Sequence, residues 1–425
     1  MSVLGYAPPL LLLALGLCTT GALVGYLQPK VAMYAWIAVV SFVPVWLGVT
    51  LGTYLIPPVA VGIGVLVASA PDIRGSLMKA DLLFAAILTM AVLPTLLDGS
   101  PIRIVLPLLT DTALGYLVGR TLPLRAGLDW TMNILTAVFC VVAALAVVEF
   151  VFTWNPFVQI SAPNSIYATW GGLRERGGVI RAEGAFGSSI ALGCSLAMAV
   201  PLAMTRAWPA YVRLLATSTL IAGTAVSFSR TGLVCALLGL VLVITVLRRE
   251  FLPTRLRVWA VIAAVIGAGF AAPRIAGVFA SAGDEAAHSA QYRGDLTSLI
   301  SDFSVVGTSS IEHQLPDGTP MWGRFESIDS ELILFGLRYG WIPLVLLLLG
   351  LATLVYVVAT GRGTPPAVAL TAQIPALMTV ALITQYGILL AFLAGLAVSS
   401  FDPARPRQPA PATDDETEKE RHEIS

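Results

Sequence analysis

Stretches of about twenty apolar residues recur from one end of this chain to the other, the length an α-helix needs to cross the hydrocarbon core of a bilayer. They lie near 8–27, 31–51, 54–70, 81–97, 103–119, 127–153, 188–204, 210–227, 232–248, 256–272, 330–358 and 366–400. The last is long enough for two short helices hinged near Thr384-Gln385-Tyr386-Gly387, so about 12 or 13 spans are expected. Water is an unsuitable solvent for such a chain. Of its 425 residues 57% are hydrophobic and 12% charged, with mean hydropathy +0.84, against about a quarter charged in soluble domains. The expected fold class is therefore all-α, a polytopic transmembrane helical bundle among membrane lipids. Formal net charge is zero, which leaves no overall field for nucleic acid and makes that partner class unexpected.

Orientation follows from lysine and arginine in the short loops, which favour the cytoplasmic side. Lys30, Arg74 with Lys79, Arg120 with Arg125, and Arg206 with Arg213 alternate consistently along the chain. Arg248, Arg249, Arg255, Arg257 and Arg362 continue the pattern. The apolar N-terminus lacks a basic leader and a small-residue cleavage site, and reads as a retained first helix. A bundle over 1–401 is expected, followed at 402–425 by a Pro-rich, then highly charged tail of disordered composition on the cytoplasmic side. Two polar stretches remain outside, at about 154–187 and 273–329. The second is a large, partly helical extracytoplasmic loop, with Leu296, Leu299, Ile300 and Phe303 in helical spacing before Gly307.

The sequence contains no phosphate-cradling nucleotide loop, zinc-binding helix or serine nucleophile elbow. Its three histidines (His288, His313, His422) have no metal-ligand spacing, so neither a metal nor a cofactor is expected. The four cysteines, Cys18, Cys140, Cys194 and Cys235, sit in apolar runs as packing residues. What stands out is arginine on the outer side: Arg174, Arg176, Arg181, Arg230, Arg274, Arg293 and Arg324. A guanidinium is permanently charged, and its planar fork suits phosphate oxygens. Several converging at the outer membrane face would hold a diphosphate whose lipid tail stays in the bilayer; singly, each would snorkel to headgroups or cap a helix.

Four stretches in order resemble the O-antigen ligase/O-antigen polymerase superfamily of membrane glycosyltransferases. Arg181-Ala-Glu-Gly-Ala-Phe-Gly-Ser-Ser189 is similar to that family's Arg-x-x-Gly-x-Phe before a helix. Ser227-Phe-Ser-Arg-Thr-Gly232 resembles its Ser-Arg-[Gly/Thr]-Gly element. Tyr292-Arg293, running through Leu296, Leu299 and Ile300 to Val306-Gly307, looks like its loop helix. Ile328-Asp329-Ser330-Glu331-Leu332, ending at Tyr339-Gly340, resembles the segment that returns to the membrane. Lipopolysaccharide ligases commonly begin that segment with His-Asn, so a histidine base does not carry over to Ile328-Asp329.

The resemblance covers roughly 130–400. It implies a metal-independent glycosyltransferase of the cytoplasmic (plasma) membrane, moving glycan from a polyprenyl-pyrophosphate donor to a glycan or lipid acceptor. Arg181, Arg230 and Arg293 are then assigned to the diphosphate. The acceptor's base is Asp329 in first place, followed by Glu183 and Glu331, with His313 a distant fourth. Asp329 reads equally as a helix N-cap, and Glu183 as a partner for Arg181. Asp111 and Glu149, ionisable residues within apolar spans, stay open between function and pairing. Gln385 and Tyr386 are expected in a hairpin turn, and Tyr167, Trp170 and Trp322 as belt anchors or sugar-stacking platforms. A lipid-linked glycan transporter and a non-catalytic membrane scaffold are the competing classes.

Overall fold

The computed structural model describes residues 7–51, 53–70, 76–97, 102–176, 178–248, 250–262, 291–292, 294–315 and 320–402. In order its helices are α1 (Ala7–Leu27), α2 (Pro29–Phe42), α3 (Pro57–Ser69), α4 (Lys79–Leu97), α5 (Ile102–Pro107), α6 (Leu114–Ala126), α7 (Leu128–Phe152) and α8 (Ser165–Trp170). They continue with α9 (Ser189–Met204), α10 (Ala210–Val226), α11 (Arg230–Thr245), α12 (Glu331–Tyr339), α13 (Trp341–Ala359), α14 (Pro365–Thr371), α15 (Ile374–Thr379) and α16 (Gln385–Ser399). A π-turn over Leu108–Ala113 joins α5 and α6 into one rod. Among the described residues, four helices are long and apolar enough to cross a membrane: α4, the α5–α6 rod, α7 and α13. Shorter apolar helices accompany them, among them α3, α9, α10 and α11. By helix length and composition the chain is a multi-pass membrane protein.

Helix α9 lies at the centre, buried along its length except at Ile190. Between apolar helices in lipid, association depends on close packing and small residues. A Cβ added to Gly232 of α11 would lie 2.8 Å from the carbonyl carbon of Gly193 in α9. Helices α6 and α16 cross as closely: a Cβ on Gly115 would stand 2.6 Å from the Ile388 carbonyl oxygen.

Three expected spans are shaped differently. The 31–51 segment is α-helical only to Phe42, with a 3-10 turn at Val45–Leu47 beyond it. Pro44 forces Val43 into extended backbone (φ −88°, ψ 120°), and a hairpin of β1 (Val49–Leu51) and β2 (Thr53–Leu55) follows. The 330–358 segment is two helices, broken at Gly340 with φ +90°. The 366–400 segment does contain the expected hinge. However, Gln385 and Tyr386 do not form its turn; both are fully buried at the start of α16. Most of the 256–272 segment lies outside the described residues.

A second core ties the 294–328 loop to the bundle. Leu296, Leu299, Phe303, Trp322, Phe325 and Ile328 pack with Ile87 and Ala91 of α4, Ile104 and Leu108 of the rod, and the apolar face of α12. Gly336 of α12 is pressed against the Phe303 ring. Arg103 donates to Glu312 on β5 (Glu312–Gln314) at 2.5 Å, pinning the loop's hairpin to the rod. Trp322 is therefore neither a belt anchor nor a sugar platform; it is a core residue with 4% exposure.

At the opposite, basic end, Arg120 is not a loop residue. It lies inside α6 with its side chain fully buried. Its Nε donates to both Asp81 oxygens at 3.1 and 3.2 Å, and Tyr116 Oη donates to the same carboxylate at 2.7 Å. Its other nitrogens reach the Ser76 carbonyl and approach Asp402 at 3.8 Å. Asp402, expected to begin the solvated tail, is thus a buried part of the bundle. Residues 403–425 lie outside the described residues. Arg206 is buried too, 3.7 Å from Asp129.

Removing one partner of a buried ion pair leaves the other charge uncompensated, at about 3–5 kcal/mol. Arg120→Leu should therefore lower the thermal unfolding midpoint of the purified protein markedly. Adding Asp81→Asn should recover part of that loss. An unchanged midpoint in Arg120→Leu would show that the network carries no stability.

Candidate active site

The segment 181–188 runs without α-helix between the hairpin of β3 (Glu175–Arg176) and β4 (Val179–Ile180) and the start of α9. Its backbone polar groups lie among apolar helices, where each needs an internal partner. Ala182 N donates to the Val226 carbonyl at 3.2 Å, and Arg181 Nε donates to the Ser227 carbonyl at 3.1 Å. The next residues form a 3-10 turn, Gly184–Phe186, whose N-terminal amides are taken by a carboxylate from α7. Glu149 Oε1 accepts from Glu183 N at 3.0 Å and from Asn155 Nδ2 at 2.9 Å, while its Oε2 accepts from Gly184 N at 2.9 Å. Asn155 Nδ2 also donates to the Gly184 carbonyl at 3.1 Å. From α16, Gln385 Nε2 donates to the Ala185 carbonyl at 3.1 Å and to the Val43 carbonyl at 3.0 Å. Three elements thus clamp one turn. Gly187 closes it at φ +62°, where a Cβ would stand 2.6 Å from the Trp170 carbonyl oxygen.

Glu183 lies on this turn with 2% exposure, and its Oε1 is buried with no hydrogen-bond partner. Burial pushes its carboxyl up to about 8; Arg174 and Arg181 pull it down and Glu149 adds to the rise. The expected pairing with Arg181 therefore exists as electrostatic attraction, while the carboxyl's environment is chiefly one of desolvation.

The second stretch is the junction of α10 and α11. Phe228 takes φ +46°, and Ser229 caps α11 by accepting from Gly232 N at 3.1 Å. Arg230 is the first residue of α11 and half-buried. Beside it, Thr231 Oγ1 lies 3.3 Å from Thr379 Oγ1 at the end of α15.

The third stretch is the return to the bundle at 328–331. Ser330, not Asp329, caps α12: its side chain accepts from Ile333 N at 3.4 Å. Asp329 is half-buried and accepts from Ser327 Oγ at 3.4 Å. The capping explanation for Asp329 thus falls away, because the hydroxyl one residue later fills that position. Glu331 makes a reciprocal pair of bonds with the unwound segment between α15 and α16. Its N donates to the Val380 carbonyl at 3.0 Å, and Leu382 N donates to its Oε2 at 2.9 Å. That engagement makes Glu331 a holder of the broken helix and argues against its being an acceptor base.

These contacts run in sequence: Arg181 to Ser227, Thr231 to Thr379, Val380 to Glu331. Arg181, Glu183, Arg230, Asp329 and Glu331 therefore stand on adjoining segments at one end of the bundle. Arg293 and Arg274 lie outside the described residues. Arg174 and Arg324 are engaged at the rim, 4.9 Å over the Trp170 ring and 5.0 Å over the Phe325 ring. His313 is exposed on β5. Asp111 sits in the π-turn, accepting from Thr110 Oγ1 at 3.3 Å. Sequence reasoning missed the clamp residues Asn155 and Gln385, and Arg338, which lies within electrostatic reach of Glu331. A polar amide inside an apolar run was the available signal for Gln385. Among the described residues no group of three His, Cys, Asp or Glu is placed to hold a metal. No family model, no curated protein and no solved structure matches the chain.

Glu149→Gln would turn an acceptor oxygen into an NH2 facing an N–H donor. Leaving a buried donor unsatisfied costs about 1–3 kcal/mol. The variant should unfold at lower temperature and be cleaved faster by protease at the 172–180 hairpin. Wild-type proteolysis rates would mean the turn holds without this carboxylate.

Proposed function

We propose that this chain is a membrane glycosyltransferase of the O-antigen ligase/polymerase type. It transfers or polymerises glycan from a polyprenyl-pyrophosphate donor at the outer face of the cytoplasmic membrane, for cell-surface polysaccharide. On this reading about 12 or 13 segments cross that membrane, and the end bearing Arg181 and Arg230 faces outward. The observation that carries the proposal is the bond from Arg181 to the Ser227 carbonyl. It ties one arginine to the loop that positions the other, a few residues from two acidic side chains.

In the proposed reaction the bond from the sugar's anomeric carbon to the diphosphate oxygen breaks, and its electron pair leaves with that oxygen. Arg181, Arg230 and Arg293 stabilise the charge that develops there, which preorganised donors do best where water is scarce. The acceptor hydroxyl gives its proton to Asp329 and forms the new glycosidic bond. Glu331 is assigned to positioning, since its carboxylate is already bonded to Leu382 N.

Purified protein supplied with polyprenyl-pyrophosphate glycan and acceptor tests this. Arg181→Ala and Arg230→Ala should each lower product formation at least about a hundredfold, on the scale of losing one oxyanion donor. Arg→Lys should fail as well where fork geometry matters. Retained transfer in the alanine variants would remove the diphosphate site, and full-rate Asp329→Asn would remove the base.

One observation favours a transporter as the second reading. The helix interrupted between Thr379 and Gln385 has the discontinuous form that transporters use at binding sites. Translocation of the lipid-linked glycan without any product would decide for that class.

A further inference from the structure

Glu149 and Glu183 are neighbouring carboxyls with opposite surroundings. Glu149 receives three donors: two turn amides and the Asn155 side chain. Glu183 is equally buried, its own amide is engaged by Glu149, and its Oε1 has no partner. Two neighbouring carboxylates around one dry turn cannot both ionise cheaply, and the one supplied with donors holds the charge. A buried oxygen with no donor is tolerable on a neutral carboxyl and costly on an anion.

We propose that Glu183 is protonated in the resting protein and serves as the neutral hydrogen-bond donor of the anion site, presenting its O–H to a phosphoryl oxygen held by Arg181. This rests on the diphosphate reading of the same arginines. An ionised Glu183 would repel that ligand, whereas a protonated one adds a donor that arginine does not supply. The charged groups acting on Glu183 are Arg174 and Arg181 from its own segment and Glu149 from α7; the clamp from α16 contributes the uncharged Gln385. Burial sets the carboxyl at about 8. It is neutral below that pH and ionises above it, so anion affinity should fall as pH rises through 8, by about tenfold per unit once the binding-competent form is the minor one.

The test uses the full chain in lipid nanodiscs with inorganic pyrophosphate, titrated calorimetrically between pH 6 and about 10. Wild type is compared with Glu183→Gln, whose amide donates at every pH. Pyrophosphate's own titration is common to both, so the ratio of their affinities isolates Glu183. That ratio should be constant up to about pH 8 and then move about tenfold per unit against the wild type. Infrared difference spectra should also show a protonated-carboxyl band at pH 7 in the wild type that Glu183→Gln lacks. A ratio flat across the range, or no such band, overturns the proposal while the arginine site stands. Absence of pyrophosphate binding in the wild type, and equally in Arg181→Ala, overturns the donor role together with the site reading.

Discussion

A backbone that leaves helical geometry among apolar helices finds no water to hydrogen-bond, and the organisation of this protein follows from how it meets that constraint. Two departures at the site end are each met by a polar side chain from a different element. The 181–188 segment is held by Glu149 from α7, Asn155 and Gln385 from α16. The unwound stretch after α15 is held by Glu331 from α12. These polar groups gather where the backbone is irregular, and that is also where the arginines and acids of the proposed chemistry stand.

The framework was largely legible because apolar length is a strong signal. Helices α1, α4 and α7 fall where the runs predicted them. Hydropathy does not report what a short break does. Pro44 and Gly340 each end a helix inside a run that stays apolar throughout, because both residues act on backbone torsion and leave the average unchanged. Arg120 was misread for a related reason. A charge near the end of an apolar run looks like a loop marker, and only its neighbours in space, Asp81 and Asp402, reveal a buried pair.

The candidate site was legible in its residue types and less so in their division of labour. Arg181 and Arg230 were picked out as arginines expected against the positive-inside pattern, and the acids as bases for the reaction the resemblance implied. What separates their roles is hydrogen bonding, which sequence does not carry. A serine takes the cap from Asp329, backbone bonds commit Glu331 to the broken helix, and three donors fasten Glu149 to the 183–184 turn. Gln385 was placed in a turn because it lies at the expected hinge of the 366–400 run. Its buried amide instead donates to the Val43 and Ala185 carbonyls, which the irregular backbone leaves without helical partners.

The fit of Gly336 against Phe303 also has a mechanical consequence. The 294–328 loop is keyed into α12, and α12 in turn is bonded through Glu331 to the helix interrupted between α15 and α16. The three parts are therefore joined in series, so that a substitution loosening Phe303 from Gly336 also slackens the support of the unwound stretch between α15 and α16.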